Sequence, residues 1–145
     1  MNPEKESSWQ DCLECKSSLR VSPNPAKAKS LIQMAQSRWT FLKTLALNEQ
    51  SANFLFEGHY SSLIELLHAL VLLVGFKINN HLCLGFYLRD VLNKPALFAV
   101  FDDLRFKRNS LVYYGKFMDF AVVQEALQKA DNLINDLLKL LEKGK

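Results

Sequence analysis

The chain has 145 residues, 49% hydrophobic and 23% charged, with a formal net charge of +3 at pH 7. That balance fits one domain with an ordinary core and excludes a wholly disordered chain, while permitting an anionic partner without requiring one. Five glycines and four prolines are too few for an all-β fold built on many tight turns.

The first 25 residues read as a leader with a short helix over about residues 9–20, broken by Ser22, Pro23, Asn24 and Pro25. Asn24 then reads as the cap of the next helix, with Pro25 in its first turn. Residues 26–145 form the helical domain proper. Ala28, Leu31, Ile32, Ala35, Trp39, Leu42 and Ala46 recur three and four apart, one face of a long amphipathic helix. Residues 48–60 lose that period and contain Gly58, so a loop with some local helix is expected there.

Residues 61–74 are apolar on nearly every side, as in a central helix, and Gly75 ends them. A third helix is predicted over about residues 81–92, capped by Asn79 or Asn80 and closed before Pro95. The fourth starts at Pro95, reaches Tyr114 and stops at Gly115. The last, residues 120–143, places Val123, Leu127, Ala130, Ile134, Leu137 and Leu141 four and three apart. A coiled-coil seam fits that heptad, but packing inside a bundle is its commoner use. Short connections and the lack of a clear strand predict an all-α fold, an antiparallel up-and-down bundle of about five helices.

The most apolar run, residues 63–74, holds Glu65 and His68. It is far shorter than the roughly 20 apolar residues of a bilayer span. Residues 1–16 mix acid and base and lack the apolar stretch of a secretory signal. Three cysteines, an odd number, read as reduced thiols, which places the protein in the cytoplasm with no membrane partner. Cys12 and Cys15 have the spacing of half a zinc site, yet no second pair follows, and a redox role needs a βαβ setting. They are taken as ordinary thiols on a short helix, with no metal and no cofactor.

Ser61, Glu65 and His68 lie on one side of the central helix, four and three residues apart. Polar groups in so apolar a helix must find partners. Either Glu65 and His68 hydrogen-bond each other, or they form a supporting wall of a catalytic pocket. His59 and His81 read as single loop or cap histidines without a partner.

The fourth helix carries the most informative segment, residues 101–115. Its apolar stripe runs Leu97, Phe101, Leu104 and Leu111, and Arg108 occupies the missing step. A guanidinium on a packing face must be paired, or must line a cleft or a subunit interface. Arg105, Asn109 and Tyr113 lie on a neighbouring line. Arg108 and Tyr113 are five residues apart, which turns them about 140° from each other on an ideal helix. Convergence on one ligand then requires a bend or a second copy across a two-fold axis, and that predicts a dimer. The plainer alternative is a salt-bridged helix, with Asp102 pairing to Arg105.

Arg108 and Asn109 followed by Tyr113, Tyr114 and Gly115 resemble the signature of the HEPN (higher eukaryotes and prokaryotes nucleotide-binding) domain, in its archaeal stand-alone form. Other landmarks agree in order. Residues 19–23 resemble the family's leader, residues 60–70 its second helix, and residues 75–81 the link into its third. The likeness covers about residues 12–143. It implies an all-α bundle, usually a homodimer, with the arginine motif facing its mate across a cleft. Active members are metal-independent endoribonucleases, often toxins beside a nucleotidyltransferase antitoxin, and their motif is an arginine followed a few residues later by a histidine.

Carried over, Arg108 would hold the scissile phosphate and stabilise its developing charge, and Asn109 would orient it. Tyr113 stands where the histidine should be. Histidine titrates near 6.5 and tyrosine near 10, so Tyr113 can hydrogen-bond a phosphate but is a poor base. Losing acid–base assistance commonly costs on the order of 10²- to 10⁴-fold in rate. Arg105 and Lys107 would add phosphate attraction, and Tyr113 with Tyr114 would stack a base; solvated charges and interface aromatics read equally well. The expectation is a dimeric RNA- or nucleotide-binding protein, with ribonuclease activity weakened by Tyr113. A non-catalytic helical adaptor or dimerisation module is the alternative.

Overall fold

Ser8 opens the first helix of the computed structural model, which describes residues 6–143. Its side chain accepts a hydrogen bond from the Asp11 amide and starts α1, Trp9–Glu14. Lys16, at φ 64°, turns the chain into β1, Ser18–Arg20. Asn24 repeats the capping device: it accepts from the Lys27 amide, Pro25 fills the first turn, and α2 runs Pro25–Leu42. The central helix α3, Ala52–Val74, closes on Gly75 in the left-handed conformation.

Next, β2, Phe76–Ile78, pairs antiparallel with β1, Ser18 opposite Ile78. Asn80 caps α4, His81–Phe86, by accepting from the Cys83 amide, and a π-helical turn, Tyr87–Val91, carries that helix on. The last two helices are α5, Pro95–Tyr113, and α6, Phe120–Lys143. The fold is an all-α helical bundle with one small two-stranded ribbon.

The core is built around α3, which packs chiefly on α2 and α6. Phe56, Tyr60, Leu63, Leu66 and Leu67 of α3 are all buried. Every member of the α6 stripe, from Val123 to Leu141, is buried too, so its heptad serves the bundle. Leu127, Ile134, Leu137 and Leu141 contribute roughly 1.5–3 kcal/mol each. Their sum is comparable with the whole stability of an ordinary domain, about 5–15 kcal/mol. Among the described residues no helix is long and apolar enough to cross a membrane.

Three expectations are corrected. Residues 52–60 are not a loop but the first turns of α3. A Cβ on Gly58 would stand 2.7 Å from Leu42 Cδ1, so this glycine lets the end of α2 approach α3 closely rather than breaking a helix. Strands do occur, but at three residues each they are too short for a period-two pattern to show. Cys12 and Cys83 are not reduced thiols. They form a disulfide that joins α1 to α4 across 71 residues, leaving Cys15 free and exposed. The ground for expecting a reducing compartment falls with that pairing.

The disulfide is not alone in fastening α1. Trp9 is buried, its ring 5.1 Å from that of Phe76 and 5.2 Å from that of Tyr87. Asp90 accepts a hydrogen bond from the Trp9 amide at 2.8 Å. Together these hold α1 over β2 and the start of the π-helical turn, and they bring Glu6 toward the C-terminal half of α5.

Candidate functional site

A cleft of about 360 Å³ opens between α5 and the start of α4. Four of the expected site residues line it from α5: Arg105, Arg108, Asn109 and Tyr113. The facing wall comes from Asn79, Asn80, His81 and Leu82, and Glu6 closes one edge. Lys107 and Tyr114, also expected at the site, are not among the lining residues. Lys107 pairs with Asp103 on its own helix, and Tyr114 caps α5 as an exposed residue.

Arg108 and Tyr113 meet within one chain. The guanidinium carbon lies 5.8 Å from the centroid of the Tyr113 ring and 5.5 Å from that of Tyr60. The long arginine side chain spans the angular gap, so neither a bent helix nor a second copy is needed, and the case for a dimer made from their divergence lapses. Among the described residues Arg108 has no carboxylate within ion-pair distance. Two aromatic faces take the place of a counter-ion, and each such contact is worth roughly 0.5–2 kcal/mol. Arg105, by contrast, is bridged to Asp102 at 2.9 Å, as the plainer reading of this helix expected.

His81, which with His68 is a candidate to stand in for the missing motif histidine although nothing in the sequence sets it beside Arg108, lines the cleft. It is the first residue of α4, and its Nδ1 lies 3.0 Å from Tyr60 Oη. Burial, followed by the charges of Arg108, His68 and Arg105, lowers its pKa to about 4, so the ring is neutral at pH 7. Burial likewise raises the Tyr60 pKa, with Arg108 opposing, and keeps the phenol protonated. The pairing spans 21 residues between two helices. No local pattern announces it; only the packing of α4 against α3 does.

The remaining polar residues of α3 are placed differently from expectation. Glu65 does not bond His68. Its carboxylate accepts from both terminal nitrogens of Arg38 on α2, the Nη2–Oε2 contact at 3.1 Å, and Ser62 Oγ lies 3.3 Å from Arg38 Nη1. Glu65 is thus a tie between α2 and α3, and neither it nor His68 lines the cleft. His68 has its pKa lowered by burial and by Lys27, with Glu65 opposing, and bears on the site through its influence on His81. His59 is neither in a loop nor partnerless. It is buried in α3, with Nδ1 bonded to the Leu55 carbonyl and Nε2 3.2 Å from Asp131, which also accepts from Trp39 Nε1.

Among the described residues no group of three or more histidine, cysteine, aspartate or glutamate side chains is placed to hold a metal ion. The Cys12 and Cys15 pair is divided, since Cys12 is bonded to Cys83. Among the described residues the cleft offers two guanidiniums, one neutral imidazole, side-chain amides and a phenol, against a single carboxylate. Such a set can bind and orient an anion, stabilise added negative charge, and accept one proton at neutral pH. Comparison of the chain with family models, with curated proteins and with solved structures finds no match.

Proposed function

We propose that the cleft binds the phosphate of a single-stranded RNA or a nucleotide, and that the protein is a HEPN-like RNA-binding protein able to cleave RNA without a metal ion. One observation carries this reading: Arg108, half-buried and without a carboxylate partner among the described residues, faces a cleft shared with Arg105 and Asn109. A guanidinium stacked on aromatic rings keeps its five donors available, and its fork matches two phosphate oxygens. Tyr113, 70% exposed, offers an open ring on which a base can stack.

The likeness of residues 108–115 to the HEPN motif supports RNA over other anions, and with it a homodimer and a nucleotidyltransferase antitoxin as partner. In metal-free cleavage the 2′-hydroxyl of the RNA attacks the adjacent phosphorus, and Arg108 stabilises the charge that gathers on the non-bridging oxygens.

A helical adaptor is the second reading, favoured by the exposed aromatic surface around the end of α5. Phe106, Tyr113, Tyr114 and Phe117 are each at least 69% exposed. Incubation of RNA with the parent protein and with Arg108→Ala in EDTA separates the two. Expected is cleavage by the parent and loss of it in a variant of unchanged melting temperature. Equal cleavage by both proteins would refute the site and put the activity elsewhere, whereas a parent that neither binds nor cleaves RNA would favour the adaptor.

A further inference from the structure

We propose that His81, held by Tyr60, is the proton acceptor of the Arg108 cleft and does from α4 what Tyr113 cannot do from α5. The inference rests on the RNA reading of that cleft and deepens it by naming the residue that completes its chemistry. Three features of the structure carry it.

The first is position. His81 lines the same cleft as Arg108, and Tyr60 stands between them, its ring 5.5 Å from the Arg108 guanidinium and its hydroxyl 3.0 Å from His81 Nδ1. The imidazole and the phosphate-binding group therefore address one ligand, although they come from different helices.

The second is orientation. Nδ1 is occupied by Tyr60, so Nε2 is the ring nitrogen left for a ligand. With the ring proton on Nδ1, that nitrogen donates to Tyr60 Oη and Nε2 keeps a free lone pair. Tyr60 is itself packed into the core: it is buried and its ring stacks on Phe101 at 6.2 Å. A base whose other nitrogen is fixed in this way needs no reorganisation before it accepts a proton.

The third is charge. The groups that face His81 are Tyr60 and His68 of α3, Arg105, Arg108 and Tyr113 of α5, and Glu6 at the edge of the cleft. Burial, with the cationic Arg108 and Arg105 beside it, keeps the ring unprotonated at neutral pH. A phosphate bound at Arg108 offsets their charge and raises the basicity of the ring, so the base strengthens when substrate arrives.

The step balances with the cleft's own groups and water. The 2′-oxygen forms a bond to phosphorus as its proton passes to His81 Nε2. The bond from phosphorus to the 5′-oxygen breaks, and that oxygen takes a proton from water in the open cleft. The products are a 2′,3′-cyclic phosphate and a 5′-hydroxyl, and His81 returns its proton to solvent.

The test is cleavage of a single-stranded RNA in EDTA by the parent, His81→Asn, His81→Ala and Arg108→Ala, with RNA affinity and melting temperature measured beside it. Asparagine keeps a polar partner for Tyr60 and guards against a folding defect. Expected is a loss of at least ~10²-fold in cleavage for both His81 variants, with RNA affinity held within about threefold. Added imidazole should restore His81→Ala by about tenfold or more, with a 2′,3′-cyclic phosphate as the product. Cleavage by His81→Asn at the parental rate would overturn the proposal, as would an RNA-binding parent that does not cleave. Either result leaves the binding reading standing, whereas unchanged RNA affinity in Arg108→Ala overturns that reading itself.

Discussion

Tyr60 Oη lies 3.0 Å from His81 Nδ1, and this one contact fastens the first turn of α4 to the middle of α3 beside the Arg108 guanidinium. It makes the cleft a composite of two helices and a central support. Burial at this place gives the imidazole a titration that stability measurements can follow.

The folded pKa of His81, lowered to about 4 chiefly by burial, lies below its unfolded value near 6.5. The unfolded chain therefore binds this proton more readily. Stability falls as pH drops from about 6.5 towards 4 and levels off below, by ~2 kcal/mol after allowance for screening at a half-buried site. His68, also lowered, acts in the same direction. Melting temperatures recorded across that window should show a shallower decline for His81→Asn than for the parent. Parallel curves would contradict the assignment.

The disulfide between Cys12 and Cys83 closes a loop of 71 residues. Chain-entropy reasoning gives such a link about 4 kcal/mol. Reduction, or Cys83→Ser, should lower the melting temperature by several degrees or more. Thiol titration of the unreduced, denatured protein should count one thiol, Cys15. Three thiols, together with a melting temperature indifferent to reductant, would show that the link does not form.

Gly75 and Gly115 both have positive φ, but their surroundings differ. A Cβ on Gly75 would lie 2.7 Å from the Val21 carbonyl oxygen, whereas one on Gly115 would meet nothing within 4 Å. Gly75→Asn should cost about 2 kcal/mol or more, because asparagine tolerates the backbone angle but not the backbone contact. Gly115→Asn should fall within roughly 0.5 kcal/mol of the parent. Chemical denaturation of the two variants measures both, and equal losses would contradict the distinction.

Among the described residues Glu6 is the one carboxylate lining a cationic cleft. Hydrogen bonds from Cys15 and then Ser17 hold its pKa below the usual value, so it is charged at neutral pH. It should repel a bound phosphate, and Glu6→Gln should tighten RNA binding about two- to fivefold at low salt, with the gain fading as salt rises. Weaker binding would mean that Glu6 contacts the ligand productively.

What was legible in the sequence was what local chemistry encodes. Asn24 with Pro25, Gly75, Pro95 and the α6 stripe each mark their element because caps, breakers and a helical period act over a few residues. Arg108 stood out because a guanidinium interrupts an apolar stripe. The rest depends on contacts between distant segments. Gly58 looks like a breaker until Leu42 is seen against it. Cys12 looks paired with Cys15 in spacing, yet bonds a cysteine 71 residues away. His81 looks idle until α4 packs beside Tyr60, and Glu65 looks aimed at His68 until Arg38 reaches it from α2. The reach of a long side chain also defeats ideal helix angles, as the meeting of Arg108 with Tyr113 shows.

The most direct measurement is the affinity of a single-stranded RNA oligonucleotide for the parent and for Arg108→Ala, by fluorescence anisotropy in EDTA over a range of salt. Expected is binding that weakens about tenfold or more in the variant, with the salt slope reduced by about one. Equal affinities and equal slopes for two proteins of matching stability would contradict a phosphate site at Arg108.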